Sequence, residues 1–182
     1  MVMESVANYL KNGDKLANIR ELIEKHHQLS SSEYDTAFSN QTFIDLLIDD
    51  YKEWGNIIIA YDFDDTIQPS KPSFSCDLVV ELLQICSKLD FTMICFTART
   101  LEKDIQMVRD TCKRLNIRCD YINEDCDQIK QTKKFEHATK ISFNIFLDNR
   151  AGLRQSYEVL WGFIEWFVNQ DVNDIDSRKE GY

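Results

Sequence analysis

Three aspartates fall within four positions, Asp62, Asp64 and Asp65, directly after the run Ile57-Ile58-Ile59-Ala60-Tyr61. Carboxylates this close raise one another's proton affinity unless a cation or a chemical task accounts for them. Asp62 and Asp64 are separated by one residue, so extended backbone puts both on one side of the chain. Further along, Thr97 and Arg99 follow the apolar run at 91–96, and Asp148 and Asn149 follow another at 142–147. Oxygen donors from Asp62, Asp64 and Asp148 make a hard site, which suits Mg²⁺ better than a thiophilic metal. With such an ion between them, one carboxylate is free to attack phosphorus and another to carry a proton. Thr97 can donate a hydroxyl hydrogen bond to a phosphoryl oxygen. Lys140, eight residues before Asp148, can supply a cation for the transferred charge. Arg99 reads equally as a substrate ligand or as the partner of a nearby acid.

Strand and helix patterns must bring these residues together. NIIIAYDF, FTMICFT (91–97) and SFNIFLD (142–148) read as buried strands, and RCDYI (118–122) as a shorter one. Helical patterns lie between them. Asp77 is expected to cap a helix carrying Leu78, Val79, Leu82, Leu83, Ile85 and Leu89. A second helix carries Leu101, Ile105, Val108, Cys112 and Leu115, with Glu102 and Asp104 early and Lys113 and Arg114 late, as the helix dipole favours. Residues 153–168 form a third. Strand–helix alternation with nearly all-apolar strands predicts a parallel sheet covered on both faces, an α/β Rossmann-like three-layer sandwich. Such sheets bind ligands at the carboxyl ends of their strands, where Asp62, Asp64, Thr97, Arg99, Asp148 and Asn149 all fall. Residues 1–54, with apolar patches at 14–29 and 43–54, read as an N-terminal helical extension on a domain spanning 55–182.

Formal charge is 21 − 31 = −10, which disfavours a nonspecific binder of long nucleic acid, since such a protein needs a cationic face. Basic residues concentrate locally: residues 99–154 carry twelve Lys and Arg against nine Asp and Glu. That leaves room for an anionic ligand. Six cysteines without CxxC spacing, and no apolar segment at Met1, lead to an expectation of reduced thiols and a cytoplasmic protein. No apolar run approaches the 18 or so residues a membrane span needs.

"DFDDTI", "CFTAR" and "TKISFNIFLDNRAGL" together resemble the motifs of the haloacid dehalogenase superfamily of aspartate-nucleophile phosphohydrolases. The resemblance covers roughly residues 56–168 and is closest to a small microbial and phage group. It implies a Mg²⁺-dependent phosphatase in which Asp62 forms an aspartyl-phosphate and Asp64 is the general acid and base. It also implies that Thr97 and Lys140 bind the phosphoryl group. Asp62, the backbone carbonyl of Asp64, and Asp148 would hold the metal, and Thr66 would brace the loop. Asn149 departs from the paired aspartates common in the superfamily, which puts metal affinity and turnover in question. Cap domains of the superfamily sit between its motifs, and the spacings here leave no room for one. A capless member implies an open site and a bulky phosphorylated substrate, a phosphoprotein or nucleic-acid end, or else a site closed by a partner subunit or the N-terminal helices, with a nucleotide or small phosphoester also allowed.

Blander readings compete. A solvated acidic turn does not need four buried strand residues before it. A calcium loop starting at Asp62 would put Ile67 where glycine belongs and Ser73 where glutamate belongs, and fails. Lys133 and Lys134 compete with Lys140, and with Lys130 read mainly as a solvated basic face; Asn123 and Glu124 fall near the edge of the third strand. Trp161, Phe163, Trp166 and Phe167 read as core, any exposed part offering a homodimer face. The alternative to an enzyme is a catalytically weak binding or regulatory protein on the same fold.

Overall fold

Every apolar side chain from Ile57 to Phe63 is buried, on alternate sides of one strand. This is why the opening run shows no polar alternation: both faces of that strand are covered. The computed structural model describes residues 39–132 and 141–179, with backbone only at 131–132 and beyond residue 170. The chain divides into two compact units, residues 1–42 and 43–182. Only residues 39–42 of the first are described, so the apolar patch expected at 14–29 lies outside the described residues.

Among the described residues the elements run α1 (Asn40–Trp54), β1 (Ile58–Asp62), α2 (Asp77–Lys88), β2 (Thr92–Phe96), α3 (Glu102–Arg114), β3 (Tyr121–Ile122), α4 (Asp127–Thr132), β4 (Ile145–Leu147) and α5 (Leu153–Lys179). The strands form one all-parallel sheet in the order β3-β2-β1-β4. This is an α/β Rossmann-like sandwich, as the strand–helix alternation predicts. β1 is central, paired to β2 and to β4.

The layers follow from the two-residue side-chain period. Ile57, Ile59, Tyr61 and Phe63 join Met93, Cys95, Ile122, Ile145 and Leu147 in one core, packed against residues of α1, α2, α3 and α5. Ile58, Ala60 and Ile94 face the other way, with Cys126 and partly buried Phe96, Tyr121, Ile129 and Phe146. Helix α5 lies close to residue 44 because Gly162 has no side chain. A Cβ there would sit 2.4 Å from Ile44 Cδ1. Phe163 is fully buried among Tyr51, Phe91 and Phe167, whereas Trp161 is 38% exposed, so the aromatic cluster is core only in part.

Three details differ from the sequence reading. Asp77 is the first residue of α2 rather than its cap; Cys76 holds the cap position, and the Asp77 carboxylate accepts the Ser75 hydroxyl at 2.8 Å. Helix α4 was not expected, because six residues are too few to show a helical period. Leu47 and Ile48, within the stretch expected as an extension, are core residues of the second unit.

Candidate active site

Register decides what meets at the carboxyl edge of the sheet. Asp62 pairs with Phe96, and Tyr61 with Leu147. One step further along each parallel ladder, Asp148 lies beside Asp62 on one flank and Thr97 stands just past it on the other. Adjacent strands are about 4.8 Å apart, so the two carboxylates are neighbours across the ladder. Residues 86 positions apart in the chain therefore share one edge.

The loop after β1 folds back on itself. Ile67 and Gln68 N–H groups both donate to the Phe63 carbonyl, at 3.2 and 3.0 Å, and Asp65 N–H donates to Gln68 O at 2.8 Å. Asp65 has φ 58°, the left-handed region that aspartate tolerates better than most residues. Its carboxylate accepts the Ser70 N–H at 2.7 Å, and hydrogen bonds from Ser70 hold its pKa below the usual carboxylate value. Asp65 thus shapes the turn, and the repulsion in the acidic run concerns Asp62 and Asp64.

Asp62 is half-buried. Burial raises its pKa most, and the charges of Asp148 and Asp64 push the same way, against hydrogen bonds from the Phe63 backbone and the Thr66 hydroxyl. Thr66, 1% exposed, donates to Asp62 Oδ2 at 3.3 Å and accepts the Asn149 N–H at 3.1 Å. It ties the loop after β1 to the loop after β4, the bracing role expected of it. Asn149 enters through its backbone. Asp148 is fixed by its own turn, its carboxylate accepting the Arg150 N–H at 2.7 Å.

Asp64 is differently engaged. Arg99 grips its carboxylate with both terminal nitrogens, one at 2.8 Å, and lays its guanidinium 4.9 Å from the Phe63 ring centroid. Of the two readings open for Arg99, the ion pair is the one found. Thr97 Oγ accepts the Arg99 N–H at 3.2 Å. Asn123, after β3 with φ 55°, accepts the Thr97 N–H at 2.9 Å and donates to the Thr97 carbonyl at 2.7 Å. It positions the Thr97 backbone, a role its place after a short strand only hinted at. Glu124 is occupied by Lys130 at 2.8 Å. Lys133, Lys134 and Lys140 lie outside the described residues.

Among the described residues, neither Asp62 nor Asp148 has an ion-pair partner, and Arg99 is committed to Asp64. Two adjacent carboxylates with no cation, one of them with raised proton affinity, are a fit for a hard divalent ion. A cavity of about 420 Å³ between Leu47, Asn144, Phe146 and Val159 is lined by none of these residues. No helix among the described residues is long and apolar enough to cross a membrane.

An α/β chain with a carboxylate pair at the carboxyl edge of its sheet is the class that fold and site define. No family model matches it, and no curated protein does. Among solved structures it is similar to a conserved protein from Bacteroides thetaiotaomicron, at 21% identity over 52% of this chain and 77% of that one, with a TM-score of 0.42. A likeness at that level carries nothing about function.

Proposed function

We propose that the chain is a Mg²⁺-dependent phosphomonoester hydrolase of the haloacid dehalogenase type. The observation that carries this is the place of Asp148 one residue past the Tyr61–Leu147 pair, next to Asp62, with Thr97 one residue past the Asp62–Phe96 pair. Asp62 and Asp148 carboxylates and the Asp64 carbonyl are the residues to hold Mg²⁺, which when bound would neutralise charge on the phosphoryl oxygens.

A carboxylate oxygen of Asp62 attacks phosphorus, and the bond to the leaving oxygen breaks as that oxygen takes a proton from Asp64. Water then attacks phosphorus of the aspartyl-phosphate, giving its proton to Asp64 and freeing Asp62 and phosphate. Thr97 donates to a phosphoryl oxygen, and Lys140 remains the proposed cation for the transferred group. Asp64 has to exchange Arg99 for the leaving group at each turnover, so Arg99 is a positioning residue. The short stretches between Thr66 and Thr97 and between Thr100 and Lys140, with little room for a cap, support a bulky substrate, a phosphoprotein or nucleic-acid end, and the second candidate class is a nucleotide.

The same Arg99–Asp64 pair, with Asn149 in place of a second acid, favours a second reading: a binding or regulatory protein with little turnover. Phosphate release from p-nitrophenyl phosphate, nucleotides, phosphopeptides and phosphorylated oligonucleotides separates the two. The hydrolase reading requires Mg²⁺-dependent release that Asp62→Asn abolishes. Equal rates in wild type and Asp62→Asn leave only the binding role.

A further inference from the structure

The core that α1, α2, α3 and α5 cover holds a second cluster of ligand-type atoms. Cys95 on β2, Cys112 on α3 and Cys119 in the loop before β3 bring their three Sγ atoms within 4.8 Å of one another. Cys95 and Cys112 are buried, and Cys119 is half-buried. All three are free thiols. Their spacings, 17 and then 7 positions, match no short metal motif, so only the fold assembles them.

Zinc–sulfur bonds of about 2.3 Å place the sulfurs of a tetrahedral site about 3.8 Å apart, within small rotamer adjustments of this arrangement. A fourth polar atom lies beside the cluster. Tyr61 Oη lies 3.5 Å from Cys112 Sγ and donates its proton to the Arg118 carbonyl at 2.8 Å, leaving oxygen lone pairs beside the sulfurs. Sulfur and oxygen ligands of one tetrahedral zinc are also about 3.5 Å apart, given bonds near 2.3 and 2.0 Å. Soft donors exclude Mg²⁺ and Ca²⁺. Three thiolates leave net charge −1 around Zn²⁺ but −2 around Cu⁺, and a buried site favours the smaller residue of charge.

We propose that Cys95, Cys112 and Cys119 bind one zinc ion beside Tyr61, stapling α3 and the loop before β3 to β2. Binding exchanges three thiol protons for Zn²⁺, with no change of oxidation state, and half-buried Cys119 marks the way in. This site is independent of the phosphatase reading, because it uses none of the residues that reading assigns.

The test uses the full chain, reduced and stripped of metal, titrated with Zn²⁺ against a chromophoric chelator. Wild type and the double variant Asp62→Asn, Asp148→Asn are expected to take up one zinc each, because the carboxylate edge is not the site. Cys119→Ser, a change at a half-exposed position, is expected to weaken binding more than about 10-fold, the least lost when even an outer partner of a metal site is removed. Co²⁺ added to wild type should give a thiolate-to-cobalt charge-transfer band, and its absence would overturn the proposal even if the variant misfolds. Equal zinc content in wild type and Cys119→Ser would also overturn it. So would loss of zinc from the carboxylate double variant alone.

Discussion

Replacing Asp62 by asparagine should make the metal-free protein more stable at neutral pH. The pKa of Asp62 is raised by burial and by Asp148 and Asp64, so the native state holds its proton more tightly than the unfolded chain does. Stability then falls as pH rises from the unfolded value, about 3.9, through the raised native one, and the penalty is complete above that. Asparagine keeps the shape and the acceptor for Thr66 but removes the charge. The gain is discounted because Asp62 is only half-buried and water screens its neighbours. A value of about 0.5–1 kcal/mol, at the low end for relief of charge repulsion, is expected. For a domain of this size that is about 1–4 °C in Tm. The gain should vanish near pH 3, where Asp62 is protonated in both states. Mg²⁺ should reverse the order: at 100 times its Kd a ligand adds about 2.7 kcal/mol, or about 5–10 °C, to wild type and much less to the variant. Thermal melts of both proteins in chelator and in Mg²⁺, at pH 3 and pH 7, read all four terms. A variant less stable than wild type at pH 7 without metal, or an equal Mg²⁺ shift in both, would refute the reasoning.

Other perturbations separate bracing from chemistry. Thr66→Val removes the hydroxyl that joins Asp62 to the Asn149 N–H inside a buried site, and should cost about 1–3 kcal/mol in urea denaturation. Arg99→Ala breaks a partly exposed ion pair and should change stability by less than about 1 kcal/mol. If Arg99 positions the general acid, the same variant lowers kcat by about 10- to 100-fold, part of what acid–base catalysis contributes. Tyr61→Phe leaves the Arg118 carbonyl without its donor and should cost about 1–3 kcal/mol in the zinc-free protein, read as a lower urea midpoint at unchanged slope.

Sequence alone carried the sheet well, because its strands are buried on both faces and need no periodicity to be noticed. Ile57 to Phe63 and Phe91 to Phe96 stand out as apolar runs, and the polar residue after each run marks the edge. Three strand-ends in one layer point to Asp62, Thr97 and Asp148 at one edge of the sheet. Pairings between side chains were not legible in the same way. Nothing in "DFDDTI" says that Asp64 is held by Arg99 while Asp62 has no cation among the described residues. That difference depends on the loop at 63–68, whose turn is set by Asp65 and by two donors to one carbonyl. Asn123 was ambiguous because its contribution is a backbone contact to Thr97, which no residue type advertises. The three thiols were invisible for a related reason: a strand, a helix and a loop each supply one, and the register between those elements is the only thing that unites them.

The acidic run also separates by cost. Asp65 is stabilised in place by Ser70 and would be chosen for the turn whatever the protein does. Asp64 has its charge met by Arg99. Asp148 repels Asp62, neither has an ion-pair partner among the described residues, and a fold can shed that repulsion by a single substitution at either position. Asparagine at 149 shows that the loop after β4 accepts an uncharged isostere one residue away. On the proposed function, that uncompensated charge is where a divalent cation from solution would bind.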